Sequence, residues 1–336
     1  MKIECLNPID AVSLVRLDFA DGSVCEFADV GASLTRWISA EGTALVAGYR
    51  DYSRYLQGGM YFGTTVGLTA GRIRGGKCTV KGKDYQFSST AKNFLHGGDR
   101  GLSFFRFALE SLETDGESAV LLYRADYRQE FMPGLVTVRV RYACRPGTIR
   151  LDFSAETTET ALVNLTNHSY FNLDGEYTRD LSSHDLRVRA NRVILVDDEV
   201  VGLDPVSVEG TVFDFRNRKP ILPSVLDPLL QNQTARGIDH LFLFDRSLPG
   251  SDLTLFSRNS GRKLEISTSY PGVTLYTTNY PLPVALADGS LPARHSAIAI
   301  EPQFPSNGIN DPRFFDLILE PGTPYRHHIE YRISEK

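Results

Sequence analysis

The chain has 336 residues, of which 42% are hydrophobic and 23% are charged, and its formal net charge is -5. This balance is typical of a globular protein with a large apolar core and excludes disorder as the default state. The acidic charge leaves no broad basic surface that could neutralise a phosphate backbone, so a nucleic acid is not expected as a partner. No repeat, low-complexity tract or Pro/Ser-rich linker divides the chain. One domain over residues 1–336 is therefore the simplest expectation, although the length would allow two.

The first ten residues carry Lys2, Glu4 and Asp10 and lack the unbroken apolar stretch of a signal peptide. No later segment has the length of a membrane span, so no membrane partner is expected. The cysteines are widely spaced and form no Cys-x-x-Cys pair for metal binding or thiol exchange: Cys5, Cys25, Cys78 and Cys144. We predict reduced, mostly buried thiols in a cytoplasmic protein.

Apolar and polar residues alternate with period two along much of the chain, which is typical of strands with one face in a core. This pattern predicts strands, in chain order, within residues 78–87, 120–127, 135–144, 149–155, 186–196, 241–244, 264–280 and 298–301. The clearest unit is a hairpin formed by residues 135–144 and 149–155 around a turn at 145–147. Only residues 222–232 suggest a short helix. The expected fold class is all-β, a large antiparallel β-sandwich.

A glycine-rich segment at residues 71–77 has the Gly and Lys spacing of a phosphate-binding P-loop. However, Cys78 stands where such a loop needs a hydroxyl group for Mg²⁺. The residues that follow alternate like a strand, whereas a P-loop opens a helix. We therefore expect these glycines to serve turns and predict no nucleotide site.

Several histidines invite a metal-binding or catalytic interpretation. His327 and His328 are neighbours on a predicted strand, so they point to opposite faces, and no ligand pattern accompanies them. We expect both at the surface. His184, His240 and His295 occur singly in turn-like or strand-edge surroundings, where a structural histidine is more common than a catalytic one.

Two polar segments are harder to explain as ordinary structure. Residues 164–173 place Asn, Thr, His, Ser and Tyr side chains directly after a well-patterned strand. They could form a hydrogen-bonded corner or a functional site, and both interpretations stay open on composition. In residues 298–305 a β-run ends in Glu301, on the face opposite Ile298 and Ile300 and beside stiffening prolines. An exposed glutamate at a strand end is the alternative there.

Six separated segments resemble, in the same order, motifs of the aldose 1-epimerase (galactose mutarotase) family. The segment of residues 164–175 is similar to Asn-x-Thr-Asn-His-x-Tyr-Phe-Asn-Leu-x-Gly nearly residue for residue. The other five are Gly67–Ile73, Phe94–Gly98, Gly237–His240, Tyr276–Asn279 and Glu301–Pro305. Each motif is short, but their common order over most of the chain makes the resemblance specific.

The resemblance implies an activity, a fold and a set of site residues. It implies interconversion of the α and β anomers of a free aldose such as galactose or glucose on the galactose mutarotase-like β-sandwich. Glu301 is then the general base and His168 the general acid. The residues expected to bind the sugar hydroxyls or the ring oxygen, or to lie next to the sugar, are Arg72, His96, Asp239 and Tyr170.

This chemistry suits the residue types. Anomer exchange removes a proton from the C1 hydroxyl and gives one to the ring oxygen, so one base and one acid on the two sides of the C1–O5 bond suffice. Neither a metal nor a redox cofactor is needed, and none is predicted. The preferred aldose and the oligomeric state are left open by the sequence.

The sequence departs from the family pattern at four positions. At Gly71, Thr274, Thr278 and Ser306 the family commonly has Asn, Gln, Gly and Asp, respectively, and these differences bear on the choice of sugar.

Three alternatives to the mutarotase activity stay open. They are a glycoside hydrolase with Glu301 and Asp239 as paired carboxylates, a silent carbohydrate-binding module, and an epimerase of phosphorylated hexoses.

Overall fold

The computed structural model describes residues 1–87, 91–129, 131–311, 313–314 and 317–335. Its first strands, in chain order, are β1 (Lys2–Ile9), β2 (Val12–Asp18), β3 (Val24–Ala28), β4 (Ser33–Ile38), β5 (Thr65–Val66), β6 (Arg72–Ile73), β7 (Lys77–Val80), β8 (Lys83–Gln86), β9 (Phe94–Leu95), β10 (Ala108–Thr114), β11 (Ala119–Tyr127), β12 (Val136–Arg145) and β13 (Thr148–Thr157). They are followed by β14 (Ala161–Leu162), β15 (Thr166–Asn167), β16 (Tyr170–Phe171), β17 (His184–Val188), β18 (Ala190–Val196), β19 (Gly202–Ser207), β20 (Lys219–Pro220), β21 (Asp239–Phe244), β22 (Leu253–Ser257), β23 (Lys263–Thr268), β24 (Gly272–Tyr276), β25 (Ile298–Gln303), β26 (Ile318–Leu319) and β27 (Tyr325–Ser334).

Helices in the described ranges are short. The α-helices are α1 (Arg54–Gln57), α2 (Leu222–Val225) and α3 (Pro228–Gln231), and single 3-10 turns lie at Arg74–Gly76, Leu102–Phe104 and Gly308–Asn310. None of the helices in these ranges has the length and hydropathy that a bilayer crossing needs.

Antiparallel pairing organises the strands into sheets. A nine-stranded sheet has the order β10-β11-β12-β13-β27-β23-β22-β17-β20, and a six-stranded sheet has the order β16-β25-β24-β21-β18-β19. Strands β1 to β4 form a separate four-stranded sheet. Buried apolar side chains of the nine- and six-stranded sheets join in one cluster, in which the rings of Phe171 and Tyr331 lie 5.2 Å apart. This arrangement confirms the predicted antiparallel β-sandwich, while one domain over residues 1–336 stays a prediction.

The hairpin of β12 and β13 forms where the alternation was clearest. Val138 and Val140 are fully buried, while Arg139 and Arg141, which alternate with them along the strand, are half-exposed. Val140 pairs with Phe153 across the hairpin, so both strands present their apolar faces to the same core. Burying one such side chain stabilises the fold by about 1.5–3 kcal/mol.

Two predicted strands are each divided between two sheets, which the sequence analysis did not foresee. Residues 186–196 form β17 in the nine-stranded sheet and β18 in the six-stranded sheet, and the chain changes sheets at Arg189. Residues 264–280 divide in the same way into β23 and β24. Pro271 precedes β24 and has no N–H group to continue a ladder. Segments with a period of two lie on both sides of each break, so the sequence analysis joined them into one strand.

The predicted helix at residues 222–232 is two single turns, α2 and α3. Pro228 begins α3 and cannot continue an earlier helix, because it lacks the N–H group and its ring clashes with the preceding turn. The side chain of Asp227 caps α3 by accepting a hydrogen bond from the Leu229 N–H group.

The predicted cysteines and histidines are placed as follows. Every cysteine is a free thiol, with Cys5 exposed and the other three buried. His327 is half-buried rather than at the surface, because its ring stacks on Tyr270 at a centroid distance of 4.4 Å, and His328 is half-buried as well. Each of the remaining three lies within hydrogen-bond distance of a backbone group, as expected of structural histidines: His184, His240 and His295.

Candidate active site

The polar segment at residues 164–173 forms a hydrogen-bonded corner that carries the predicted acid, His168. Asn164 donates to the carbonyl groups of Ala70 and Phe304, and Thr166 donates to the carbonyl of Pro302. These bonds tie the corner to β25 and to the loop before β6. His168 lies between β15 and β16, and its buried Nδ1 has no partner in the described parts of the chain. The hydrogen bonds of Asn164 and Thr166 therefore hold the backbone in place, while the imidazole of His168 stays available to a ligand or a proton.

Glu301 lies inside a strand and not at its end. Strand β25 continues for two residues beyond it, to Gln303, and every residue of the strand is buried. The sequence analysis placed Glu301 at the strand end because Pro302 follows it. Here Pro302 stands opposite Val273 of β24 within the sheet, and Glu301 stands opposite Thr274. The carboxyl group is only 2% exposed, so the alternative of a solvated strand-end glutamate is wrong.

The proposed acid and base face each other. His168 Nε2 lies 3.4 Å from Glu301 Oε1, and both side chains are almost fully buried. Glu301 Oε2 has no hydrogen-bond partner among the described residues, which is rare for a buried carboxyl oxygen. Such groups are retained where a ligand or a proton is to be bound, because leaving them unpaired is costly for folding.

Burial sets the proton affinities of this pair. It lowers the pKa of His168 to about 3, since the charged imidazolium loses its hydration. It raises the pKa of Glu301 well above its ordinary value, and the nearby carboxylate of Asp239 raises it further, whereas Arg72 lowers it. Both shifts favour the neutral imidazole and the protonated carboxyl group over the charged pair in the empty site.

Arg72 and Asp239 form a partly exposed ion pair beside Glu301. Their closest atoms, Nη1 and Oδ2, are 3.6 Å apart, with 27% and 15% of the respective side chains exposed. Burial raises the pKa of Asp239, while Arg72 acts in the opposite direction. The guanidinium and carboxylate groups can thus donate to and accept from the hydroxyl groups of one ligand.

His96 reaches the same place through the pairing of β6 with β9. Leu95 pairs with Arg72, which brings the next residue beside the acid, and the imidazole rings of His96 and His168 lie 5.4 Å apart, edge to face. The Gly71 N–H group donates to His96 Nδ1 at 3.1 Å. Burial, His168 and Arg72 all lower the pKa of His96, so the ring is neutral.

Two tyrosine rings stack against His168. Tyr170 lies at a centroid distance of 4.9 Å and is 3% exposed, so it supports the imidazole from inside the protein. Tyr61 lies at 5.7 Å and also meets His96 edge-on at 5.1 Å. The sequence analysis missed Tyr61. Its backbone has a φ of 57°, a left-handed conformation that is uncommon outside glycine and typical of functional sites, and no sequence pattern signals it.

The residues that depart from the family pattern surround this group. Thr274 stands opposite Glu301, and its buried hydroxyl has no partner in the described ranges. Thr278 takes a positive φ of 47°, where glycine is usual in the family, and donates to the Ala297 carbonyl. Ser306 lies against Gly71. Thr274 is therefore the departure placed to contact a ligand.

One cluster in the described chain has a composition that could hold a metal ion: His96, His168 and Glu301, whose ligand atoms lie within 4.8 Å of one another. A metal-bound imidazole normally donates its other N–H group to an acceptor. In His96 the relation is reversed, because Nδ1 accepts from Gly71 and the remaining proton must sit on Nε2. The cluster fits proton transfer and sugar binding better than metal coordination.

Comparison with known proteins identifies the family. The family model described as Aldose 1-epimerase matches residues 13–332. The chain belongs to the aldose 1-epimerase family. It is 33% identical to the galactose mutarotase of Rattus norvegicus over 300 residues, which are 86% of this chain and 84% of the relative. It is 30% identical to the aldose 1-epimerase of Escherichia coli over 325 residues, which are 94% of this chain and 87% of that enzyme.

Solved structures agree with this family. The GalM/aldose epimerase homologue from C. elegans superposes with a TM-score of 0.85 at 28% identity, covering 97% of this chain and 99% of that one. The galactose 1-epimerase from Lactobacillus acidophilus has a TM-score of 0.86 at 22% identity, covering 99% and 98%, and supports the fold. The predicted galactose mutarotase-like sandwich and the predicted aldose 1-epimerase activity are confirmed. The structure brings all six predicted site residues into one group, and their individual roles stay predictions.

Proposed function

We propose that this aldose 1-epimerase uses Glu301 as general base and His168 as general acid on a free aldose such as galactose or glucose. The observation that carries the proposal is the buried His168–Glu301 contact of 3.4 Å, in which one atom of each side chain has no partner among the described residues. A positioned acid or base contributes about 10²–10⁴-fold to such a reaction.

The proton balance of the reaction closes within this pair. In the reactive form, which is the less favoured one in the empty site, the shared proton lies on His168 and Glu301 is a carboxylate. Glu301 takes the proton of the C1 hydroxyl group, the C1–O5 bond breaks to leave a C1 aldehyde, and His168 gives its proton to O5. Rotation about the C1–C2 bond then presents the other face of the aldehyde. On reclosure O5 attacks C1, His168 recovers its proton, and Glu301 returns one to O1. The pair carries one proton before and after, so no metal, nucleotide or redox cofactor enters the cycle.

The other residues position the sugar. Arg72 offers donors and Asp239 an acceptor at the partly open side of the site, which suits hydroxyl groups that both donate and accept. His96 offers a neutral ring at the buried side. The stacking of Tyr170 on His168 supports a role in aiming the acid, alongside its predicted place near the sugar.

Polarimetry tests the activity. Freshly dissolved α anomers of galactose, glucose and other aldoses should reach their equilibrium rotation faster with the protein than without it. A parallel assay with aryl glycosides should release no aryl alcohol, because the proposed reaction breaks the C1–O5 bond of the ring and not the glycosidic bond. Release of the alcohol would support the hydrolase alternative, and no acceleration with any aldose would support a silent binding module.

Two further expectations accompany the proposal. We propose a cytoplasmic location, which the free thiols support because exposed and buried cysteines persist reduced in that compartment. The names of the relatives favour galactose among the aldoses. A panel that includes hexose 6-phosphates would reveal a preference for phosphorylated sugars.

A further inference from the structure

The glycine-rich loop at residues 71–77 serves the active site in a way its sequence did not indicate. Gly71, Gly75 and Gly76 all take positive φ angles, as expected of turns. Among the described residues nothing lies within 4 Å of a Cβ atom added at Gly75. At Gly71 an added Cβ atom would lie 2.1 Å from Ser306 Oγ and 2.8 Å from Ser306 Cβ. An added side chain would therefore clash with Ser306 at position 71 and would meet no such clash at position 75.

The Gly71 backbone determines the hydrogen-bonding character of His96. Its N–H group donates to Nδ1 of that imidazole at 3.1 Å. A neutral imidazole has one lone pair and one N–H group. Because the lone pair of Nδ1 is engaged by Gly71, the ring proton is held on Nε2.

Ser306 connects this contact to the strand of the proposed base. It follows β25, which carries Glu301, and lies within hydrogen-bond distance of Gln303. The segment after β25 thus packs directly on the residue that contacts His96. A side chain at position 71 would have to displace either Ser306 or the Gly71 backbone, and movement of the backbone would lengthen the bond to Nδ1.

We propose that Gly71 is a positioning residue that fixes His96 as an Nε2–H donor to the sugar, through its N–H bond to Nδ1 and its side-chain-free contact with Ser306. This proposal rests on the proposed function of the site. The sugar atom that faces His96 is then a hydrogen-bond acceptor, either the ring oxygen or a hydroxyl oxygen. The proposal also predicts that His96 offers no lone pair to a metal ion unless the Gly71 bond breaks.

The state of the wild-type ring is measurable without any substrate. We would record long-range ¹H–¹⁵N correlation spectra of the protein labelled with ¹⁵N-histidine, with His96→Gln used to assign the His96 signals. The expected pattern has the proton on Nε2 and an unprotonated Nδ1, and it persists from pH 6 to 8. A proton on Nδ1, or an even mixture of the two tautomers, would overturn the proposal.

Variants at position 71 test the positioning role. Gly71→Ala should disturb the Nε2–H pattern of His96 and lower kcat/KM by about 10-fold or more, since small misplacements in a site cost that much. Gly75→Ala is the matched control, because it places the same side chain at a positive φ in the same loop without a clash. It should keep both the His96 pattern and kcat/KM.

A compensating variant separates positioning from general loop damage. Ser306→Gly removes the two side-chain atoms that would meet a Cβ atom at position 71. In the Gly71→Ala/Ser306→Gly protein, part of the His96 pattern and several-fold of kcat/KM should therefore return. An unchanged His96 pattern in Gly71→Ala would contradict the proposal, even if activity fell. If the wild-type protein shows the pattern but no mutarotation, the proposed function fails and the hydrogen-bonding assignment stands.

Discussion

The β12–β13 hairpin and the β24–β25 pair are both antiparallel ladders, but their ionisable side chains differ in exposure and in pairing. On the hairpin, Arg141 and Asp152 are half-exposed and pair with each other at 3.1 Å. On β25, Glu301 is buried beside a histidine, and one of its oxygens has no partner within the described part of the chain. An unpaired buried carboxyl group destabilises a fold, whereas the paired surface charges contribute little either way. The hairpin therefore contributes stability, whereas β25 carries a destabilising group that the proposed mechanism uses for proton transfer.

The largest expected effect is on activity at β25. Glu301→Gln keeps the shape of the side chain and removes the proton acceptor, so kcat in polarimetry should fall by about 10²-fold or more. Sugar binding, measured by calorimetry, should change much less, because the hydrogen-bonding groups around the sugar remain. A near-wild-type rate on every aldose that the parent accepts would show that Glu301 is not the base.

The matching change in the hairpin should affect stability and not activity. Leu151 is fully buried on β13, and Leu151→Ala should lower the free energy of unfolding by about 2–5 kcal/mol, because it leaves a cavity in the core. The folded variant should retain the wild-type kcat. Urea denaturation and polarimetry on the same preparation test both statements, and a large loss of kcat would erase the contrast between the two regions.

The charges beside Glu301 should move the acid limb of the pH–rate profile in opposite directions. Asp239 raises the pKa of Glu301 and Arg72 lowers it. Asp239→Asn should therefore shift the acid limb of kcat/KM to lower pH, and Arg72→Gln should shift it to higher pH. Both should lower kcat/KM, since both residues hold the sugar. Arg72→Lys is the control, because it keeps the charge and should leave the acid limb close to its wild-type position. Shifts of the acid limb in the same direction in Asp239→Asn and Arg72→Gln would refute the electrostatic assignment.

A smaller effect should appear in the stability of β25. The folded-state pKa of Glu301 is raised, so the wild-type protein loses stability as pH rises from the ordinary glutamate pKa through that raised value. Glu301→Gln has no such group. The melting temperature of Glu301→Gln minus that of the wild type should therefore increase from pH 4.5 upwards. A difference that stays constant or decreases would contradict the burial argument.

No effect is expected from metal removal. Dialysis against EDTA should leave the mutarotation rate unchanged, because the proposed proton cycle runs between Glu301 and His168, and His96 is proposed to carry its proton on Nε2. A large loss of rate that a divalent ion restores would require a different use of the His96, His168 and Glu301 cluster.

The sequence predicted β12 and β13, which expose one face to solvent, more accurately than the limits of β25, which is buried on both faces. The alternation in β12 and β13 corresponds to a real difference in exposure, so its interpretation was reliable. In β25 both faces are buried, and nothing in the period of two shows that Glu301 is enclosed or that the strand continues beyond Pro302. Family resemblance supplied the site residues that composition left open. Tyr61 escaped both approaches, because its place depends on a backbone conformation and on packing between distant segments.

The most direct test of the account is the polarimetric rate of the Glu301→Gln/His168→Asn double variant beside the two single variants. If the two residues transfer protons in one ring-opening event, each single change already removes the event. The double variant should then fall little further than the slower single variant. A rate reduced by the product of the two single losses would show that Glu301 and His168 act independently and would contradict the shared-proton mechanism.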